Sequence, residues 1–208
     1  MPLDLASARK HFRTADRTIF GLIQRVGPCT LKPQKQRFEM LVNSILSQQI
    51  STSAARSIRR RLGELIAPSK VRPEVIARLD ATQLRTAGVS PQKAGYLLDL
   101  AVKTLDKTVN LPRISRHTDE EAIAELIQVK GIGRWTAQMF LIFSLGRPDV
   151  FAPDDLGIKS AIRNLYGLSE LPTKEESLAI AAPWRPHSTL ACWYLWRSLE
   201  FSREPVKK

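Results

Sequence analysis

The chain has 208 residues, of which 32 are Lys or Arg and 20 are Asp or Glu, so its formal net charge at pH 7 is +12. A charge this positive favours a partner rich in phosphate, and we expect a nucleic acid rather than a membrane surface. Only two cysteines are present, which excludes a four-cysteine iron–sulfur cluster and a zinc ribbon, and the lack of a long apolar run or an apolar leader predicts a soluble cytoplasmic, or otherwise intracellular, protein.

Apolar residues recur at helical spacing from the first third of the chain onward. The first clear stripe, at i, i+3, i+4 and i+7, consists of Phe38, Leu41, Val42, Ile45 and Leu46. After a polar break at residues 48–51, a second stripe continues to Leu65, with arginines on the opposite face. Further along, Ser90 followed by Pro91 is typical of an N-cap and the first position of a helix.

The second half of the chain shows the same helical pattern. Two capping boxes, Thr118 with Glu121 and Thr173 with Glu176, predict the starts of two helices. An aromatic helix is expected near the end of the chain, with Trp193 and Trp196 in the core. Alternating runs long enough for strands are missing, and we therefore predict an all-α protein of about ten helices.

A turn with two glycines joins two of the predicted helices in the segment Leu126–Ala137. Gly131 and Gly133 permit a positive φ and leave the backbone uncovered. Backbone N–H groups beside the start of a helix form an anion site that suits a phosphate, and Lys130 and Arg134 add positive charge. The alternative is an ordinary helix end, where glycine is common.

An acidic pair, Asp154 and Asp155, stands at the start of another predicted helix, about twenty residues after this turn. One of the two residues is expected to cap the helix while the other projects into a cleft. A carboxylate in a cleft stabilises positive charge that develops on a sugar during glycoside cleavage. The alternative is that the pair serves as a cap and nothing more.

Four segments in this order resemble the helix-hairpin-helix superfamily of base-excision DNA glycosylases, and within it the branch of 3-methyladenine DNA glycosylase II. These segments are LVNSILSQQIS (41–51), VKGIGRWTAQMF (129–140), DVFAPDDLGIK (149–159) and APWRPHSTLACWYLW (182–196). The resemblance runs from Phe38 to Trp196.

The resemblance implies two helical lobes with the active-site cleft between them. The central lobe would span residues 38–145 and include the hairpin at 126–137, and the second would combine residues 1–37 with 146–208. Some members of the branch carry an N-terminal β-rich domain, and none is expected here because too few residues precede Phe38.

The resemblance also implies roles for individual residues. Asp155 would be the catalytic carboxylate, with Asp154 as its structural neighbour. Trp135 stands where glycosylases with lyase activity carry a nucleophilic lysine, so no lyase activity is expected. Trp135 and Trp184 would line the base pocket, where an indole stacks on a positively charged alkylated base. Packing in the core is the alternative for both tryptophans.

The remaining implied roles concern contacts with DNA. Gln49 would fill the gap that a flipped nucleotide leaves, and Gln48 would either contact DNA or cap a helix end. The other implied DNA-binding residues are Lys130, Gly131, Ile132, Gly133, Arg134 and Thr136. No cofactor is expected to be required, although the carbonyls of Ile127, Val129 and Ile132 could hold a sodium or potassium ion.

The resulting expectation is a monomeric, monofunctional enzyme that flips an alkylated purine out of double-stranded DNA and hydrolyses its bond to the sugar. One alternative within the superfamily is a glycosylase for deaminated or etheno bases. Another is a non-catalytic module that uses the hairpin to bind duplex DNA. An RNA-binding protein is a third, although the chain has no RNP-type aromatic strand and no KH-type GXXG loop.

Overall fold

A computed structural model describes residues 4–201, and the predicted all-α class is confirmed over this part of the chain. Within it there are twelve α-helices and no strand. The helices are α1 (Leu5–Ala15), α2 (Arg17–Val26), α3 (Arg37–Ser47), α4 (Thr52–Ile66), α5 (Pro73–Ile76), α6 (Ala81–Thr86), α7 (Pro91–Leu105), α8 (Asp119–Leu126), α9 (Arg134–Phe140), α10 (Leu156–Tyr166), α11 (Lys174–Ala181) and α12 (Ser188–Phe201). None of these helices is both long enough and apolar enough to cross a membrane.

The ends of several helices are where the local sequence predicts them. Thr118 and Glu121 form a capping box at the start of α8, and Thr173 and Glu176 form another at the start of α11. The side chain of Ser90 accepts the first-turn N–H of α7, with Pro91 at the first helical position. These caps depend on residues three positions apart, so they can be predicted from the local sequence without knowledge of the tertiary structure.

The chain divides into two compact units, and the first to be described is the continuous segment 34–140. In this segment α3 packs against α4, α7 and α9, while α7 also packs against α5 and α6. Fully buried side chains from α3 and α7 fill its core, among them Leu41, Ile45, Leu97 and Leu100. Each such side chain contributes roughly 2 kcal/mol of hydrophobic stabilisation. The core therefore stabilises α3 and α7, the helices next to the loops that carry the candidate contacts.

The other unit combines residues 1–33 with 141–208, and its two ends, 1–3 and 202–208, lie outside the described residues. Here α12 packs against α2 and α10, and α1 packs against α2. A π-helical turn at Leu141–Leu145 follows α9 directly along the chain. Such turns are rare and frequently accompany functional sites.

A single carboxylate, that of Asp16, joins distant parts of this unit. One oxygen caps α2 by accepting the N–H groups of Thr18 and Ile19 at 2.9 and 3.0 Å. The other accepts the hydroxyl of Tyr166 at 2.5 Å and the indole N–H of Trp184 at 2.7 Å. Burial and this hydrogen bond together raise the pKa of Tyr166, so the phenol stays a donor at any physiological pH.

Candidate functional site

The hairpin turn between α8 and α9 requires one of its two glycines. Gly131 has φ +82°, and a Cβ there would lie 2.1 Å from Cδ2 of the Tyr96 ring. Gly133 does not have a positive φ, and no heavy atom lies within 4 Å of where its Cβ would be. Both glycines permit a positive φ, but of the two only Gly131 adopts one. The backbone of Gly133 is exposed, as expected, because nothing packs over it.

The charged residues of the hairpin are exposed, but they are also engaged with neighbours. The backbone N–H of Lys130 donates to Asp99 Oδ2 at 2.8 Å. Arg134 forms an ion pair with Glu120 through two hydrogen bonds, one of them 2.9 Å long, which lowers the pKa of Glu120. Both partners are at least half exposed. Exposed pairs contribute less than about 1 kcal/mol, so a phosphate can compete with Glu120 for the guanidinium.

Two of the predicted DNA-contacting residues of the hairpin have buried side chains. Thr136 and Ile132 are each only 4% exposed. A contact from the Thr136 hydroxyl to DNA is therefore not available in this structure, and only the backbone at these positions can serve. The N–H of Ile132 donates to the carbonyl of Val129 at 3.1 Å, which closes the turn.

Trp135, the second residue of α9, differs from its buried neighbour Thr136 because 45% of its surface is exposed. Burying a side chain of this size is a large source of stability in a core. An indole left this exposed is instead available to stack on a ligand, and its placement favours the predicted binding role over core packing.

The polar break between α3 and α4 places its two glutamines differently. The side chain of Gln48 donates to the carbonyl of Gly131 at 2.8 Å and so connects the break to the hairpin. Gln48 is also the C-cap of α3, because its backbone N–H donates to the carbonyl of Ile45. Gln49 is exposed and has φ +54°, a left-handed conformation that costs a non-glycine residue about 1 kcal/mol. Strain of this kind is typical of functional positions.

In the other unit, the carboxylate of Asp155 is 7% exposed and forms the N-cap of α10. Its Oδ1 accepts the N–H of Ile158 at 2.8 Å and the indole N–H of Trp196 at 3.0 Å. Asp154 is exposed, with the ammonium of Lys174 at 3.5 Å. One residue of the pair caps the helix, as expected, and it is Asp155. The residue that the resemblance makes catalytic is therefore also the cap, and Asp154 takes neither role.

Sequence reasoning missed Trp196 as a neighbour of this carboxylate and assigned it to the core. Trp196 is only half-buried, and its ring stacks on Phe143 of the π-helical turn with the centroids 5.6 Å apart. A Cβ at Gly157 would lie 3.1 Å from Asp155 Oδ1 and 3.2 Å from Trp196 Cδ1. The one available signal was this glycine in the first turn of a helix, where glycine costs about 1 kcal/mol relative to alanine.

Trp184 occupies the core of its unit. No part of its surface is exposed, its N–H donates to Asp16, and its ring meets Phe151 edge to face at a centroid distance of 5.4 Å. These contacts favour the core alternative over a wall of the base pocket, because a fully buried ring cannot touch a ligand without rearrangement.

Metal-ligating side chains do not cluster in the part of the chain that the structure describes. Among residues 4–201, no group of three His, Cys, Asp or Glu side chains could hold a metal ion. The backbone carbonyls of the hairpin are a separate possibility, and the Val129 carbonyl already accepts one hydrogen bond.

Comparison with known proteins reveals relatives along nearly the whole chain. A curated relative, the alkylbase DNA glycosidase-like protein mag2 of Schizosaccharomyces pombe, is 32% identical over 206 residues that cover 97% of each chain. Some bacterial relatives are longer, and the chain spans 59% of the length of one from Bacillus subtilis.

Two solved structures share the fold. A DNA-3-methyladenine glycosidase from Bacillus halodurans is 33% identical, with a TM-score of 0.86 over 95% of this chain and 91% of that chain. The 3-methyladenine DNA glycosylase Mag1 of S. pombe, in complex with abasic DNA, is 32% identical, with a TM-score of 0.82 over 96% and 99%. The family model for HhH-GPD superfamily base excision DNA repair proteins matches residues 42–186. This chain belongs to the HhH-GPD superfamily.

Proposed function

We propose that this protein is a monofunctional DNA glycosylase that removes alkylated purines of the 3-methyladenine type from duplex DNA. The observation that carries the proposal is the carboxylate of Asp155, held nearly buried by a backbone N–H and an indole N–H. A pure DNA-binding module has no need of such a group. The names of the relatives support the substrate class, and the Mag1 complex with abasic DNA supports duplex DNA as the partner.

Binding begins with the phosphates. The exposed backbone around Gly133 offers N–H groups at the start of α9, and the Lys130 side chain adds positive charge. These contacts are independent of base sequence and set the register of the protein on the duplex. The net charge of +12 provides long-range attraction that weakens with added salt.

The damaged nucleotide then rotates out of the stack, at a cost of a few kcal/mol that is smallest for a weakly paired base. Gln49 fills the gap, and its exposed position and strained backbone suit insertion better than packing. The exposed face of Trp135 stacks on the extruded base. An alkylated base carries positive charge, which strengthens its attraction to an electron-rich indole.

As the bond between base and sugar lengthens, the sugar gains positive charge. The carboxylate of Asp155 stabilises this charge, because it is already oriented by its two donors and does not have to reorganise. Water attacks the sugar, and the products are a free base and an abasic site. An alkylated purine is a good leaving group, so no strong acid is needed to assist its departure.

We also propose a monovalent cation as an optional component of the hairpin. It would be held by the carbonyls of Ile127, Val129 and Ile132, at the end of α8 where helix carbonyls lack partners within the helix. Such an ion would supply positive charge toward a phosphate. We further propose that the protein acts as a monomer in the cytoplasm, or otherwise inside the cell, where its DNA substrate is found.

The test is the release of base from a labelled duplex that contains a methylated purine, for the wild type and Asp155→Asn. We expect strand breaks that require alkali for the wild type, and a rate at least about a hundredfold lower for the variant. Breaks without alkali would refute the monofunctional mechanism. If the wild type binds the duplex but releases no methylated, etheno or deaminated base, the protein is a binding module.

A further inference from the structure

Four side chains on one face of helix α7 contact two loops, the polar break between α3 and α4 and the hairpin turn between α8 and α9. Lys93, Tyr96, Asp99 and Lys103 are spaced three, three and four residues apart, which aligns them along one side of a helix. All four are half-buried. Each contacts either the polar break at residues 48–51, called the glutamine break below, or the hairpin turn. Both segments belong to the same unit as α7.

The first of these side chains, Lys93, holds the glutamine break. Its ammonium donates to the carbonyl of Leu46 at 2.9 Å and to the carbonyl of Gln48 at 2.6 Å. Carbonyls at the end of a helix lack donors within that helix, and here a lysine of another helix supplies them. Burial lowers the pKa of Lys93.

The other three side chains hold the hairpin. The Tyr96 ring occupies the space beside Gly131 where a Cβ would clash. Asp99 Oδ2 accepts both the backbone N–H of Lys130, at 2.8 Å, and the ammonium of Lys103, at 3.0 Å. Lys103 also donates to the carbonyl of Gln128 at 2.5 Å. The hairpin is therefore held at three positions between the end of α8 and its first glycine.

We infer that this face of α7 fixes Gln49 and the hairpin at a constant separation, and that Lys93 is a positioning residue for the insertion of Gln49 into DNA. Gln49 needs such support because its left-handed backbone persists only where the surroundings impose it. The hydrogen bond from Gln48 to Gly131 completes the connection between the two loops. The inference rests on the proposed insertion of Gln49, but it does not require the cleavage reaction.

A double-mutant cycle tests this role. The dissociation constant for a duplex with a tetrahydrofuran abasic analogue is measured for the wild type, Lys93→Met, Gln49→Ala and the double variant. We expect Lys93→Met to weaken binding about tenfold, equivalent to about 1.4 kcal/mol, and to weaken it less than about twofold when Gln49 is already alanine. Residues that act through one another are non-additive in this way.

Two further variants separate positioning from charge and from folding. Lys93→Arg keeps a donor for both carbonyls and should bind within about threefold of the wild type. Lys70→Met removes the same charge from an exposed lysine of the same unit and should leave the dissociation constant within about twofold. If Lys93→Met does not fold, Lys93→Gln takes its place in the cycle.

Equal losses in the two backgrounds, or an equal loss for Lys70→Met, would overturn the inference. Binding to the abasic analogue requires no chemistry, whereas the proposed function fails if the wild type releases no methylated base. The two failures are therefore seen in different experiments.

Discussion

In the unit formed by residues 34–140, the candidate DNA contacts include the hairpin backbone and Gln49, and side chains from α7 hold these two loops in place. The same unit also offers the exposed side chains of Lys130, Arg134 and Trp135. In the unit formed by residues 1–33 and 141–208, the candidate catalyst is a side chain, and a backbone N–H and an indole hold it. The candidate contacts of the first region are thus spread over backbone groups and several side chains, whereas the candidate catalysis of the second region depends on one side chain.

This difference has a consequence for mutational effects. A single substitution can remove the carboxylate of Asp155 completely, whereas no substitution removes a backbone N–H except by proline. Single substitutions in residues 34–140 should therefore each cause a partial loss of DNA affinity. Substitutions around Asp155 should instead reduce the rate of base release and leave DNA binding largely intact.

The largest effect is expected from the acidic pair. Asp155→Asn should slow base release at saturating enzyme by at least about a hundredfold, because the neutral amide cannot stabilise a positive sugar. Asp154→Asn, its matched control, removes an equal charge from an exposed site and should remain within about threefold. Similar losses in single-turnover assays of the two variants would contradict the assignment of catalysis to Asp155.

The next effect concerns stability. Asp16→Ala should lower the free energy of unfolding by about 2 kcal/mol, because it removes a helix cap and leaves the Tyr166 hydroxyl and the Trp184 N–H without their acceptor. Asp4→Ala removes a cap alone, that of α1, and should cost about 1 kcal/mol or less. Urea denaturation measures both, and equal costs would show that the buried donors contribute nothing.

The two glycines of the hairpin should separate folding from binding. Gly131→Ala should destabilise the protein by about 1–2 kcal/mol, because it combines a positive φ with a clash against Tyr96. Gly133→Ala meets no neighbour and should cost less than about 1 kcal/mol, yet it places a methyl group on the exposed backbone. We expect duplex binding by Gly133→Ala to weaken severalfold at unchanged stability, and unchanged binding would argue against a phosphate at this backbone.

A smaller effect tests the contact that the sequence did not reveal. Trp196→Phe keeps an aromatic ring for stacking on Phe143 but removes the N–H that donates to Asp155. The single-turnover rate should fall roughly fivefold, about 1 kcal/mol, the net value of one hydrogen bond. The dissociation constant for the abasic analogue should not change, and a loss confined to binding would count against this role.

The smallest effect depends on pH. Burial tends to raise the pKa of Asp99, but the hydrogen bonds from the Lys130 N–H and the Lys103 ammonium outweigh it, so this pKa lies below the ordinary value of an aspartate. A carboxyl whose pKa falls on folding stabilises the protein above its unfolded pKa, and this stabilisation disappears as the pH drops through the folded pKa. Asp99→Asn should therefore cost about 1 kcal/mol at pH 7 and much less at pH 3 in urea denaturation.

The sequence predicts local features well and distant contacts poorly. The capping boxes at Thr118 and Thr173 depend on residues three positions apart, and both are confirmed. The bond from Trp196 to Asp155 joins residues 41 apart, and that from Gln48 to Gly131 joins residues 83 apart. The spacing of apolar residues predicts neither hydrogen bond. It indicates which face of a helix is apolar, but not which other residues pack against that face.

Tryptophans show the same limit. Trp135 and Trp184 are the same residue type, and both lie in segments that carry the resemblance, yet one is 45% exposed and the other fully buried. A large aromatic ring suits a core and a base pocket equally well, so residue type cannot separate the two.

The division of the chain into a continuous and a split unit has a consequence for the order of folding. Residues 34–140 follow one another without interruption, so every contact within that unit can form as soon as residue 140 has left the ribosome. The other unit has to wait, because Asp16 meets partners that lie 150 and 168 residues later. During synthesis, the unit with the candidate DNA contacts can therefore fold before the unit with the candidate catalytic carboxylate.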